Sequence, residues 1–371
     1  MNEVSAATLA PTVAWSAFAL AFVFGVTAQR SNFCTMGAVS DIVNIGDWTR
    51  MRMWLMAIAV ALLGTQILHF AGLIDLTKSI YIGPKVTILS GVGGGLAFGF
   101  GMTLASGCSS KTLLRLGSGN LKSLVVFIVL GVSAYMTLKG LFGVWRTAFL
   151  DPAALTLAGP QDIGALAARI LGIDLGAARI GLALLIAALI IGFCVSHRDF
   201  RSAEPFISSI VIGAMVVGGW YVTGHIGYLP EDPKTLEEAF AGTNSGRMES
   251  LSFVAPAAYT LELLMMWSDK SRIVTFGVAS TLGVVAGSFA YSVVTRTFRL
   301  EGFRDAEDTA NHIVGGVLMG FGGVTGLGCT VGQGLTGIST LALGSIVTVL
   351  SIIAGSVLAF RYQNWRLENT T

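Results

Sequence analysis

The sequence predicts an all-α polytopic membrane protein of about nine transmembrane helices, in two inverted repeats whose re-entrant loops or half-helices meet centrally. Three observations predict it. Of 371 residues, 53% are hydrophobic and only 12% charged, with a mean hydropathy of +0.74; a soluble chain carries about 25% charge and could not clothe its surface with half of that. The apolar residues gather into nine runs long enough to approach or cross a hydrocarbon core of ~30 Å. A ten-residue string recurs at a constant offset of 221 positions.

The runs lie at about 12–28, 52–74, 86–105, 122–143, 176–195, 206–224, 273–295, 311–327 and 338–360. No Lys or Arg precedes Arg30, so the first run lacks the basic flank of a cleaved signal peptide and is expected to be a retained helix. A tenth, weaker run at 252–268 holds Pro256 and Glu262 between polar flanks. It is expected to be a half-helix entering and leaving from one side. The polar stretches 146–175 and 228–250 read as extramembrane loops, the second with Glu231, Asp232, Glu237, Glu238 and Glu249. No segment reads as a soluble domain, so residues 1–371 are expected to form one integral membrane unit. Its parts are a first repeat at about 12–145, a connector helix at about 176–195 and a second repeat at about 206–360.

The repeat rests on the match of Gly99-Phe100-Gly101-Met102-Thr103-Leu104-Ala105-Ser106-Gly107-Cys108 to Gly320-Phe321-Gly322-Gly323-Val324-Thr325-Gly326-Leu327-Gly328-Cys329, with five of ten positions identical. Phe33-Cys34 after the first run has a weaker echo in Phe253-Val254 after the sixth. Four helices precede the fifth and four follow it, so an odd connector turns the second copy upside down, as in transporters with inverted repeats. With the N-terminus outside and the C-terminus cytoplasmic, 13 of the 23 basic residues fall on the cytoplasmic side, Arg198 and Arg201 among them. The excess of basic residues favours that orientation, although Arg169, Arg179, Lys270 and Arg272 fall on the other side.

Chemistry concentrates at three helix breaks. Cys34 lies in Arg30-Ser31-Asn32-Phe33-Cys34-Thr35, Cys108 in Gly107-Cys108-Ser109-Ser110-Lys111, and Cys329 in Gly328-Cys329-Thr330-Val331-Gly332-Gln333. Non-helical backbone at membrane depth survives only where protein buries it or water fills a cavity, and broken helices expose N–H groups that suit an anion. Cys34, Cys108 and Cys329 are therefore the candidate path residues, supported by Asn32, Gly107, Ser109, Gly328, Thr330 and Gln333. A thiol is a weak donor that can meet a soft, sulfur-terminated anion without holding it, whereas several Arg or Lys in a pore would bind a divalent anion tightly and slow its release.

Other residues have plainer readings. Cys194, in Ile190-Ile191-Gly192-Phe193-Cys194, has no polar break beside it and reads as a small core residue. Glycines 91, 93, 94, 95, 99 and 101 read mainly as helix-packing positions. His225 and His312 could shuttle protons but sit where a histidine is commonly only hydrogen-bonded. Asp41, Glu262 and His312 are candidates for ion coupling by proximity to membrane segments. No Cys-x-x-Cys, histidine pair or nucleotide-binding strand–turn–helix occurs, so no metal site or other cofactor is expected. The net charge of +2 gives no basic surface for nucleic acid.

Together the Arg30…Asn32-Phe33-Cys34 segment, the Gly107-Cys108-Ser109 junction and the string Gly328-Cys329-Thr330-Val331-Gly332-Gln333-Gly334-Leu335-Thr336-Gly337 resemble the YeeE/YedE family of sulfur-compound permeases. The third motif is the most specific, and the resemblance spans nearly the whole chain. It implies thiosulfate uptake across the bacterial inner membrane, three path cysteines at Cys34, Cys108 and Cys329, and loops dipping from both faces toward the middle. Some members of that family are paired with or fused to a TusA-like sulfur carrier; the chain ends five residues after Arg366, so any such partner is expected to be separate. Selenium or another thio-compound stays open as substrate. A second class of reading is a membrane sulfurtransferase that forms a cysteine persulfide, with Lys111 as the base near Cys108; a soft metal complex is a further alternative cargo.

Overall fold

The computed structural model describes residues 5–157, 159–197, 200, 202–233 and 235–370; Arg198 and Arg201 lie outside the described residues. The nine apolar runs fall on nine long helices: α1 (Ala6–Arg30), α3 (Thr49–Phe70), α4 (Ile88–Leu104), α6 (Leu121–Lys139), α9 (Leu175–Val195), α10 (Ala203–Tyr221), α12 (Phe276–Val294), α13 (Ala306–Thr325) and α14 (Leu343–Thr370). Between them lie the shorter helices α2 (Thr35–Ile45), α5 (Ser109–Gly117), α7 (Leu141–Phe149), α8 (Ile163–Leu171) and α11 (Ala255–Met265). Among the described residues, eight helical stretches are long and apolar enough to cross a membrane. The ninth, α13, has 20 residues and spans about 30 Å, but Glu307, Asp308, Asn311 and His312 in its first two turns lower its hydropathy.

The tenth run does fold as a half-helix: α11 has 11 residues, about 16 Å, half a hydrocarbon core. Residues 146–175 hold more structure than a loop. They contain α8 and a strand, β2 (Ala154–Thr156), that pairs antiparallel with β1 (Lys85–Thr87). A second two-stranded ribbon joins β3 (Tyr228–Leu229) to β4 (Ala239–Phe240) inside the other long connection.

Cross-chain contacts sort the connections into two sets. On one face, Arg30 pairs with Glu204 (3.4 Å), Lys122 with Asp308 (2.6 Å) and Arg366 with Glu307 (3.0 Å), while Asn120 bridges to Glu301. On the other, Lys78 pairs with Glu238 (2.6 Å), Arg272 and Lys139 both meet Glu262 (3.1 and 3.4 Å), and β1 pairs with β2. These are called the first and second faces below. The sets alternate along the chain as nine crossings require, so α1 and α10 start from opposite faces.

Helix packing follows the same inversion. α1 lies along α12 as α3 lies along α10; α14 lies along α4 as α6 lies along α13; and α4 meets α13 at the centre. Exchanging α1 with α10, α3 with α12, α4 with α13 and α6 with α14 leaves these pairings unchanged, which is the signature of a two-fold relation. α9 stands outside the exchange and packs mainly on α3 and α8. The central crossing is backbone on backbone: a Cβ on Gly94 would strike the Gly322 carbonyl, and one on Gly322 the Gly94 carbonyl. Small residues let the helices approach without a hydrophobic driving force between them.

Candidate permeation site

One backbone device, which also closes α12 at Arg296, stands before each of three cysteines. Asn32, Ser106 and Leu327 are non-glycine residues with φ of 51°, 56° and 57°. Each ends a long helix, α1, α4 or α13, and each stands two positions before a cysteine. The intervening N–H closes the helix in the same way: Phe33 N–H donates to Ala28 O (3.1 Å), Gly107 N–H to Met102 O (2.8 Å) and Gly328 N–H to Gly323 O (2.7 Å). This is the closing bond of a Schellman turn. Asn tolerates the left-handed region readily; Ser and Leu hold it at some cost. Gly328 has φ +155° and needs glycine.

Each cysteine then opens the next element. Cys34 is the N-cap of α2, Cys108 of α5, and Cys329 precedes the π-helical turn Gly332–Gly337. The Gly37 N–H donates to Cys34 Sγ and the Gly332 N–H to Cys329 Sγ, both at 3.4 Å; the Lys111 amide approaches Cys108 in the same way. A sulfur that accepts a backbone N–H as a cap has its S–H free to donate elsewhere. All three thiols are buried.

The breaks converge. The Cys34 and Cys108 thiols face one another, although 74 positions separate them in the chain, and Thr330 faces Cys108 from the opposite repeat. Ser110 Oγ also lies 3.3 Å from Cys108 Sγ. Cys329 sits one residue back from Thr330, beside Tyr81. Re-entrant segments anchored on both faces therefore meet around the cysteines.

The supporting residues divide. Asn32 Oδ1 accepts from Lys111 Nζ at 3.3 Å, a bond that ties the start of α2 to α5 on the first face, and the Lys111 ammonium lies near enough to both thiols to act on them electrostatically. Gly107 packs against the Lys111 stem. Gln333 is held by its Nε2, which donates to Gly326 O at 2.6 Å, while its Oε1 is buried without a partner. Ser109 and Thr330 are almost fully buried, at 2% and 1% exposure; the Ser109 hydroxyl has no hydrogen-bond partner, and the Thr330 hydroxyl has only the Cys108 thiol beside it. Thr35, which sequence reasoning passed over, is buried to 2% exposure and unpartnered like Ser109. A buried polar group left unpaired costs about 1–3 kcal/mol.

Cavities flank the centre. On the second face, 270 Å³ open against Gly328 between Glu249, Ser250, Ser252 and Tyr259, and a crevice of 30 Å³ runs beside it between Tyr81, Thr325, Gln333 and Ser345. Burial pushes the Glu249 carboxyl up to about 7. On the first face, 360 Å³ are lined by Ser106, Arg115, Lys122, Arg299, Arg304 and Asp308 among others. Cationic side chains outnumber anionic ones there, and Arg115 Nη1 donates to the Ser106 carbonyl at 2.7 Å.

The remaining candidates have local partners. Cys194 donates its S–H to Arg52 O (3.3 Å), and His225 Nδ1 lies 3.2 Å from Leu73 O with its ring stacked on Tyr221. His312 sits on Asp308, Asp41 on Arg50, and Glu262 between Lys139 and Arg272.

A family model described as Sulphur transport matches residues 30–358. The thiosulfate transporter TsuA of Spirochaeta thermophila is 25% identical over 351 residues, covering 92% of this chain and 96% of that protein. The thiosulfate transporter TsuA of Escherichia coli strain K12 is 27% identical over 351 residues, covering 91% and 92%.

Proposed function

Because the chain belongs to the Sulphur transport family, and so is a multi-pass membrane transporter for sulfur compounds, we propose that it is a permease that carries thiosulfate along its three cysteines. The observation that carries this reading is the recurrence of one helix break before each of three buried thiols, with Cys34 and Cys108 face to face and Thr330 reaching Cys108 from the inverted repeat. That the two TsuA proteins are named for thiosulfate supports the choice of anion.

On this reading the anion enters the second-face cavity at Gly328, meets Cys329, crosses past Thr330 to Cys108 and Cys34, and leaves beside Lys111 and Asn32 into the first-face cavity. Each thiol donates to the terminal sulfur in turn. Such bonds are weak, and successive weak sites let an ion leave as readily as it enters. Lys111, with Arg50 and Arg115 close by, supplies positive charge beside the thiols, so an anion is favoured there.

The first face is then cytoplasmic and the second outside, in a bacterial inner membrane, with the N-terminus out and the C-terminus in. The majority of basic residues on the first-face connections supports that orientation. A TusA-like carrier would take up the delivered sulfur at the first face.

The test is uptake of labelled thiosulfate into liposomes holding the purified protein. Wild type and Cys194→Ala are expected to take it up, and Cys34→Ala, Cys108→Ala and Cys329→Ala to lose at least nine-tenths of the rate, roughly the effect of removing one or two well-placed donors. Full uptake by the Cys108 and Cys329 variants, normally folded, would sink the cysteine path. A stable adduct one sulfur heavier on Cys108 would instead favour the sulfurtransferase reading.

A further inference from the structure

Each path cysteine is followed at once by a hydroxyl residue: Cys34-Thr35, Cys108-Ser109 and Cys329-Thr330. Thr35 and Ser109 are the first residues of α2 and α5, and Thr330 has the place in the second repeat that Ser109 has in the first, at the offset of 221. All three are more than nine-tenths buried; the Thr35 and Ser109 hydroxyls are without a hydrogen-bond partner, and the Thr330 hydroxyl has only the Cys108 thiol beside it. Among the described residues fourteen buried side-chain polar atoms form no geometric hydrogen bond, and three of them occupy this one equivalent position.

The inverted repeat supplies an internal comparison. The two-fold relation gives a fourth equivalent position, the start of α11, where Phe253-Val254-Ala255 stands for Phe33-Cys34-Thr35 without a left-handed residue before it. That position has neither the thiol nor the hydroxyl. Val254 packs instead against Gly323. Thiol and hydroxyl are thus present together or absent together, as expected if they serve one ligand. Local stereochemistry alone would not couple them, since α11 forms without either.

We propose that the Thr35, Ser109 and Thr330 hydroxyls are the oxygen-recognising half of the path, each donating to the oxygens of a sulfur oxyanion while the adjacent thiol meets its terminal sulfur. The inference rests on the permease reading above and deepens it. The substrate class becomes an anion that carries a soft sulfur at one end and hydrogen-bond-accepting oxygens at the other, so neither sulfate nor hydrosulfide satisfies both halves. Thr330, which faces Cys108 across the repeat boundary, places one such donor where the two re-entrant segments meet.

The experiment compares pairs of variants in proteoliposomes: Thr35→Val against Thr35→Ser, Ser109→Ala against Ser109→Thr, and Thr330→Val against Thr330→Ser. The readout is the thiosulfate concentration for half-maximal uptake, with monodisperse elution as the check on folding. Removing a hydroxyl is expected to raise that concentration on the order of tenfold, and keeping it to leave the value within about twofold of wild type. If the hydroxyl-free variants match wild type, or if the hydroxyl-keeping partners fall with them, the role is not hydrogen bonding and the inference is wrong. Should a valine variant fail to fold, the Ser109→Ala and Ser109→Thr pair decides alone, since loss of one oxygen leaves the break intact. Wild type that does not move thiosulfate would overturn the permease reading itself, a result separable from any difference within a pair.

Discussion

Cysteine is an unusual residue for a helix N-cap, where Ser, Thr, Asp and Asn supply a stronger acceptor. Its use at Cys34 and Cys108, and at the equivalent Cys329, gives up capping strength for a soft donor facing the interior. What distinguishes the breaks from one another is charge. The residue three places after Cys108 is Lys111, whereas Gly332 follows Cys329 at the same interval. The first-face side of the site is therefore positive and the second-face side is not. The expected consequence is that anionic thiol reagents modify Cys108 faster than cationic ones of the same size, and that Lys111→Gln lowers that ratio on the order of tenfold, as removal of a nearby full charge in a partly shielded site should. Lys111→Arg should keep the ratio. A ratio unmoved by Lys111→Gln would mean that the ammonium is directed away from the thiols. The dipeptide Cys-Ser/Thr is legible three times in the sequence, yet nothing there marks Thr35, because a hydroxyl reveals itself only by burial without a partner.

At the scale of elements, α4 carries the central packing, with α13 along one side and α14 along another. Its glycines are not equivalent. A Cβ on Gly99 would run into the Ile352 carbonyl and the backbone of Ser356, whereas one on Gly93 meets nothing within 4 Å. Backbone cannot yield as a side chain can, and overpacking of this kind costs about 3 kcal/mol or more. Gly99→Val is expected to abolish the folded, monodisperse protein in a fluorescence-detected elution profile, while Gly93→Val leaves the peak near wild type. Comparable peaks from both would show that α4 and α14 part easily. The nine long helices were legible because hydrocarbon demands a length and a composition that a sequence displays directly. The short helices were less so. α2 and α5 hold Asp41, Asn44, Lys111 and Arg115, so hydropathy passes over them, and they form because a capped turn and buried neighbours hold them. The pairing of β1 with β2 joins residues about 70 positions apart and leaves no local pattern to read.

At the scale of the whole molecule, two halves of one design have diverged. Three of four equivalent positions hold a thiol, the fourth holds Val254-Ala255, and the connection before that fourth position is the long segment 227–252. That insertion supplies Glu249, which stands in the second-face cavity below Gly328 and accepts from the Ser245 hydroxyl at 2.9 Å. Its meaning for transport follows from its charge. Burial raises the carboxyl to about 7, so at pH 6 it is mostly neutral and at pH 8 mostly ionised. An ionised carboxylate lining the entry cavity repels a divalent anion, and the neutral acid does not. Uptake from the second face should therefore be stronger at pH 6 than at pH 8, with the half-saturating anion concentration rising several-fold as pH climbs through about 7. Glu249→Gln removes the ionisation while keeping the shape, so it should hold the low-pH affinity across the range. The measurement is thiosulfate uptake from pH 5.5 to 8.5 into proteoliposomes of uniform orientation, with the internal pH fixed. A profile that Glu249→Gln leaves unchanged would assign the pH dependence to another group and remove Glu249 from the entry path.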